Sequence, residues 1–70
     1  MYTYCTIQWV DDLTTSEVII KDDHTIDKDD DKIFFYGLSP EKIRRAMKTE
    51  DVCEGEWKVI DIYGTFDQLL

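Results

Sequence analysis

Residues 39–41 read Ser-Pro-Glu, and no other stretch limits the possible folds of this chain so strongly. Ser39 suits a helix N-cap, with its hydroxyl accepting an N–H of the first turn. Pro40 fits the first helical position, where no N–H is required. Glu41 brings negative charge to the positive end of the helix dipole. Leu38 and Ile43 have the spacing of a hydrophobic staple, although Lys42 stands where a capping box would place Glu or Gln. Ile43, Ala46 and Met47 then recur at the i, i+3, i+4 spacing of one narrow apolar face, with Lys42, Arg44, Arg45 and Lys48 on the others. Glu41 lies four residues before Arg45, the spacing of a stabilising helical ion pair. Thr49-Glu50-Asp51 is a weak stop, so the helix is expected to end between Thr49 and Val52.

Strand-like sequence flanks this helix on both sides. Residues 32–37 carry apolar side chains on both faces, Ile33 and Phe35 on one and Phe34 and Tyr36 on the other, which is the pattern of a central strand ended by Gly37. Residues 57–63 form the last strand, with Trp57, Val59, Asp61 and Tyr63 on one side and Lys58, Ile60 and Ile62 on the other. The connection between the two is long enough for a parallel crossover, and an antiparallel return is the alternative. Upstream, residues 2–10 are aromatic and β-branched, placing Thr3, Cys5, Ile7 and Trp9 opposite Tyr2, Tyr4, Thr6, Gln8 and Val10. Residues 17–21 are the simplest hairpin partner for that strand. Residues 22–31 read as an acidic loop holding His24 and Ile26, or as a continuation of the second strand through Thr25 and Ile26 past a bulge. Gly64 introduces a tail in which Phe66, Leu69 and Leu70 have helical spacing. The expected fold is a single α+β domain over residues 1–70: a small antiparallel or mixed sheet of about four strands, in the order β-β-β-α-β, with one helix packed on one face.

Charge is distributed unevenly. The 70 residues carry a net charge of −8. Between Asp11 and Asp31 nine acids face two lysines, a net of −7, whereas the helix from Glu41 to Lys48 is basic. Such a chain repels nucleic acid and anionic membrane as a whole, and neither is an expected partner. No apolar run is long enough to span a bilayer. With Met1 leading directly into strand-like sequence and only two cysteines, Cys5 and Cys53, a reduced cytoplasmic protein is expected, its thiols acting as small hydrophobes. A single disulfide between them is the alternative.

Candidate chemistry is sparse. Asp27, Asp29 and Asp31 open like a calcium loop, but Lys32 stands at the position of the turn glycine and Leu38 at that of the closing glutamate. His24, Cys5 and Cys53 lack the paired spacing of a zinc site. A Cys–His nucleophile would need a pocket that so short a chain has little room to build. No cofactor, metal centre or enzymatic activity is expected.

The informative surplus is apolar surface. One helix covers at most one face of a four-stranded sheet, yet each strand carries large side chains on both faces. The expected open set is Tyr2, Tyr4, Phe34 or Phe35, Trp57 and Tyr63. Closure by the C-terminal tail is the bland alternative. Aromatic residues are the ones enriched at binding hot spots. The functional expectation is a non-catalytic protein-binding or regulatory module that uses Tyr2, Tyr4, Trp57 and Tyr63, flanked by the acidic loop residues Asp27, Asp29, Asp30 and Asp31, on another protein or on a second copy of itself. Two alternatives follow from the acids: a nucleic-acid mimic that inhibits a nucleic-acid-handling protein, in the manner of small phage or mobile-element inhibitors, and weak divalent-cation binding at the Asp-rich loop.

Overall fold

The computed structural model describes residues 1–29, 33–34 and 36–69, and it has the expected α+β architecture. Strands β1 (Tyr2–Trp9), β2 (Thr15–Ile20), β3 (Thr25–Asp27) and β4 (Ile33–Phe34) precede helix α1 (Pro40–Thr49), and β5 (Trp57–Phe66) follows it. All five strands join one sheet in the order β4-β3-β2-β1-β5, and every pairing is antiparallel. The first four strands arise by successive reversals. In the β1–β2 turn Leu13 takes a left-handed φ of 62° and donates its N–H to the Trp9 carbonyl at 2.9 Å. Asp12 accepts from both the hydroxyl and the N–H of Thr14, at 2.7 and 3.0 Å, and these bonds hold its carboxyl below the ordinary range. In the β2–β3 turn Lys21 N–H donates to the His24 carbonyl at 2.8 Å. Gly37 passes directly over that turn. A Cβ there would lie 2.1 Å from the Lys21 carbonyl oxygen, a contact only glycine avoids.

Two strand assignments differ from expectation. Residues 25–27 are neither loop nor an extension of β2 but a third strand, with Ile26 paired to Ile19. Residues 33–34 lie at the sheet edge, not its centre, and Ile33 is 54 % exposed. Lys32 and Phe35, expected in the same strand, lie outside the described residues. The reason is topological. Each reversal adds the next strand outside the last, so the free edge of β1 stays open for the final strand. The pairings leave β4 and β5 at opposite edges pointing the same way, and α1 carries the chain across the sheet between them.

The core lies between α1 and one face of the sheet. It contains Cys5, Ile7, Val18, Ile20, Ile43, Ala46, Cys53, Trp57 and Val59, with Trp9, Tyr36, Leu38 and Ile62 packed around them. Ser39 caps the helix as expected, its hydroxyl accepting from Lys42 N–H at 3.4 Å. The helix ends on Glu50, which adopts a left-handed φ of 57°. Only Ile43 and Ala46 of the apolar stripe are buried, and Met47 sits at its margin. Among the described residues Lys28–Glu17 is an ion pair and Asp23 is hydrogen-bonded to His24, and the expected Glu41–Arg45 pair does not form. Thr25, fully buried, donates its hydroxyl to the Tyr36 carbonyl at 2.6 Å and ties the chain leaving β4 to the sheet.

Strand β5 decides which residues face the helix. It enters through a tight turn in which Glu54 and Gly55 both have positive φ, 53° and 68°, and which closes on the Cys53–Trp57 bridge. It then pairs with β1 as Trp9↔Trp57, Ile7↔Val59, Thr6↔Asp61, Cys5↔Ile62 and Tyr4↔Gly64. Ile60 and Tyr63 are left without partners, one at each register shift, and each is a bulge. Strict alternation puts Trp57 and Tyr63 on the same side. With the Ile60 bulge between them, Trp57 is buried at 2 % exposure, edge-on to Tyr36 at 6.0 Å, while Tyr63 is 59 % exposed. Trp57 is therefore a core residue and not part of the open face. The strand also continues through Gly64 to Phe66, so residues 65 and 66 belong to the sheet and not to a docking tail.

Trp57→Ala should destabilise the fold by about 3–5 kcal/mol, since it removes the largest buried side chain, whereas Tyr63→Ala should cost about 1 kcal/mol or less. Urea denaturation of the two variants measures the contrast. The two free cysteines give a second test. Burial, and then the neighbouring Cys53, push the Cys5 thiol up to about 12, and burial with the Asp51 and Glu54 carboxylates raises Cys53. Neither thiol should react with a disulfide reagent at neutral pH until the protein unfolds. A raised pKa favours the neutral, folded form. Stability should be full below the ordinary thiol range and fall as pH rises from there toward 12.

Candidate functional site

The face of the sheet turned away from α1 carries an apolar row that crosses all five strands. Tyr4 stands opposite Ile19 on one side and Gly64 on the other, Ile19 opposite Ile26, and Ile26 opposite Ile33. Tyr2 and Phe66 pair beside this row. The glycine has a local purpose: a Cβ at residue 64 would approach the Phe66 ring to 2.9 Å. Phe66 thus folds across Gly64 and meets Tyr4 edge-on, with centroids 5.4 Å apart and rings at 89°. Tyr63 reaches the same face, where its hydroxyl hydrogen-bonds the Thr6 hydroxyl across the strands.

Charged groups border the row. Lys28 Nζ lies 5.7 Å from the Tyr4 ring centroid and 3.8 Å from Glu17 Oε2. Lys21 Nζ lies 5.3 Å from the Tyr2 ring centroid. Between Tyr4 and Tyr63 opens a cleft of about 230 Å³, with Glu17 and Lys28 in its wall. Asp61 stands opposite Thr6 on the same face. A larger cleft, about 360 Å³, opens beside the helix among Tyr36, Leu38, Lys42, Arg45 and Val52, and burial raises the Tyr36 hydroxyl there.

Of the residues expected to meet a partner, Tyr2, Tyr4 and Tyr63 lie together on the open face, and Trp57 is under the helix. Asp27 is 5 % exposed. Its carboxylate accepts the Asp29 N–H at 3.0 Å, so it fastens a turn instead of projecting to a partner. Asp29 is exposed, while Asp30 and Asp31 lie outside the described residues. His24 is held by Asp23 at 2.7 Å, whereas Cys5 and Cys53 sit in the core. Among the described residues no three His, Cys, Asp or Glu side chains converge as metal ligands do. Phe66, Ile19, Ile26 and Ile33 are members of the face that sequence reasoning passed over. Phe66 was legible only as a β-favouring residue beyond Gly64, and the isoleucine row needs the strand register to appear.

No helix among the described residues is long and apolar enough to cross a membrane. No protein-family model matches the chain, and neither a curated protein nor a solved structure matches it.

Proposed function

We propose that this chain is a small, non-catalytic protein-binding module whose contact surface is the open sheet face built on Tyr2, Tyr4, Tyr63 and Phe66. The observation that carries this reading is the apolar row running from Gly64 and Tyr4 through Ile19 and Ile26 to Ile33 on the face without a helix. Ile19 is itself buried within the row, and the apolar side chains exposed around it, Tyr63, Ile33 and Phe66, are bordered by charge in the way of an interaction site. Tyr and Phe contribute large, stiff contact area at low entropic cost, and the Phe66–Tyr4 and Tyr63–Thr6 contacts hold three of the rings in place before any partner arrives. The two free, buried cysteines support a reducing, cytoplasmic setting.

The acidic-mimic reading draws less support. A phosphate mimic needs carboxylates that project freely. Here Asp12 accepts from Thr14, Asp23 is bonded to His24 and Asp27 is buried on the Asp29 N–H, which leaves Asp11, Asp22 and Asp29 as the exposed, unengaged acids among residues 11–29 beside the loosely paired Glu17. The regulatory role, and the choice between a second copy and another protein, are parts of this same proposal.

Light scattering after size exclusion separates the two kinds of partner, since a dimer held by the open face persists at high salt. Affinity capture with the wild-type chain and with a Tyr63→Ala, Phe66→Ala variant then tests the surface. The captured protein should remain at high salt and be reduced by about tenfold or more with the variant, the loss of two interface aromatics. A partner that ignores both substitutions and washes off with salt would replace this reading with the acidic one.

A further inference from the structure

The wall of the smaller cleft contains a cation already. Lys28 Nζ sits 5.7 Å from the Tyr4 centroid and 3.8 Å from Glu17 Oε2. Both distances are at the loose end of their kind. An ammonium gains from a ring face out to about 6 Å, and an N–O separation of 3.8 Å is an ion pair but not a hydrogen bond. The site therefore has the two elements that recognise a guanidinium, an aromatic face and a carboxylate, and its own lysine holds the carboxylate only loosely.

Resting on the binding face argued above, we infer that the Tyr4–Tyr63–Glu17 cleft receives an arginine side chain from a basic segment of another protein, and that Lys28 is the stand-in it displaces. Arginine's planar fork can stack on the Tyr4 ring while donating two parallel hydrogen bonds to the Glu17 carboxylate, a combination lysine lacks. The cleft, at about 230 Å³, accommodates the group. Its walls are fixed beforehand, because Tyr63 is tied to Thr6 and Tyr4 is braced by Phe66. Charge agrees with this occupant: a net charge of −8 draws a basic segment toward the molecule. A second copy fits poorly. Its arginines, Arg44 and Arg45, lie on the helix, on the opposite side of the sheet. Inserting one into this cleft makes a head-to-tail contact that propagates without closing, between two strongly negative molecules.

The test uses acetylated, amidated tri-arginine and tri-lysine peptides, titrated into the isotopically labelled chain and followed by amide shifts. Tri-arginine should move Glu17, Lys28 and Tyr63 and bind more tightly than tri-lysine. Lys28→Ala should tighten tri-arginine binding by roughly two- to fivefold, because it removes an exposed cation–π competitor. Lys21→Ala removes the same charge over Tyr2, outside the cleft, and serves as the control; it should leave the cleft shifts as they are. Glu17→Gln should weaken binding by about fivefold, the loss of one exposed ion pair. Glu17, Lys28 and Lys21 each have substantial solvent exposure, and thermal melts confirm that the variants fold. Equal tightening by the two lysine variants, with shifts spread over all the acids, overturns the inference, since net charge alone then explains binding. If that result comes with a captured partner still dependent on Tyr63 and Phe66, the arginine receptor falls and the binding face stands. Loss of that dependence as well brings down the face.

Discussion

A helix of ten residues is about 15 Å long, and this one offers only Ile43 and Ala46 to the interior. Five strands cannot be sealed on both faces by one such element. The chain resolves this by concentrating its largest buried side chain, Trp57, beneath the helix with Cys5, Ile7, Val18, Ile20 and Val59. The opposite face is left to whatever the strands themselves supply. They supply rings that cover one another in part, Phe66 over Gly64 and edge-on to Tyr4, and lysines that lie across Tyr2 and Tyr4. That is enough to hold the aromatic side chains in place, and it still leaves Tyr63 and Ile33 more than half exposed.

The same economy appears in the charges. A chain this acidic is destabilised by its own repulsion. Several carboxylates are instead drawn into local work, on Thr14, on the Asp29 N–H, on His24 and on Lys28. The first three fasten turns, while Glu17 and Asp61 flank Thr6 on the open face itself. The helix cations stay on the far side, without ion pairs among the described residues. The helix thus carries the basic cluster of the molecule, on the side of the sheet away from the open face.

Backbone preferences that span only a few neighbouring residues were legible in the sequence. The Ser39 cap, the proline at the helix start, the Ile43–Ala46 spacing and the alternation of Thr3, Cys5 and Ile7 against Tyr2, Tyr4 and Thr6 all depend on backbone preferences within a turn or two. The α+β class follows from them. Tyr2 and Tyr4 of the candidate face were legible for the same reason, because strand period alone puts the two β1 tyrosines on one side.

Tertiary structure decided the rest, and the physical reason is register. Apolar residues on both sides of residues 33–36 described a central strand, yet successive reversals carried β4 to the edge. Residues 25–27 became a strand only because β2 was there to pair with them. Trp57 and Tyr63 share parity in the sequence, and the bulge at Ile60 against β1 sends them to opposite faces. A bulge is a mismatch between two strands far apart in the chain, so neither strand carries it alone. The sequence by itself determined the helix, the alternation of β1 and the fold class; which face each residue of β5 joins, and hence which aromatics lie on the open face, was settled only when β5 docked on β1.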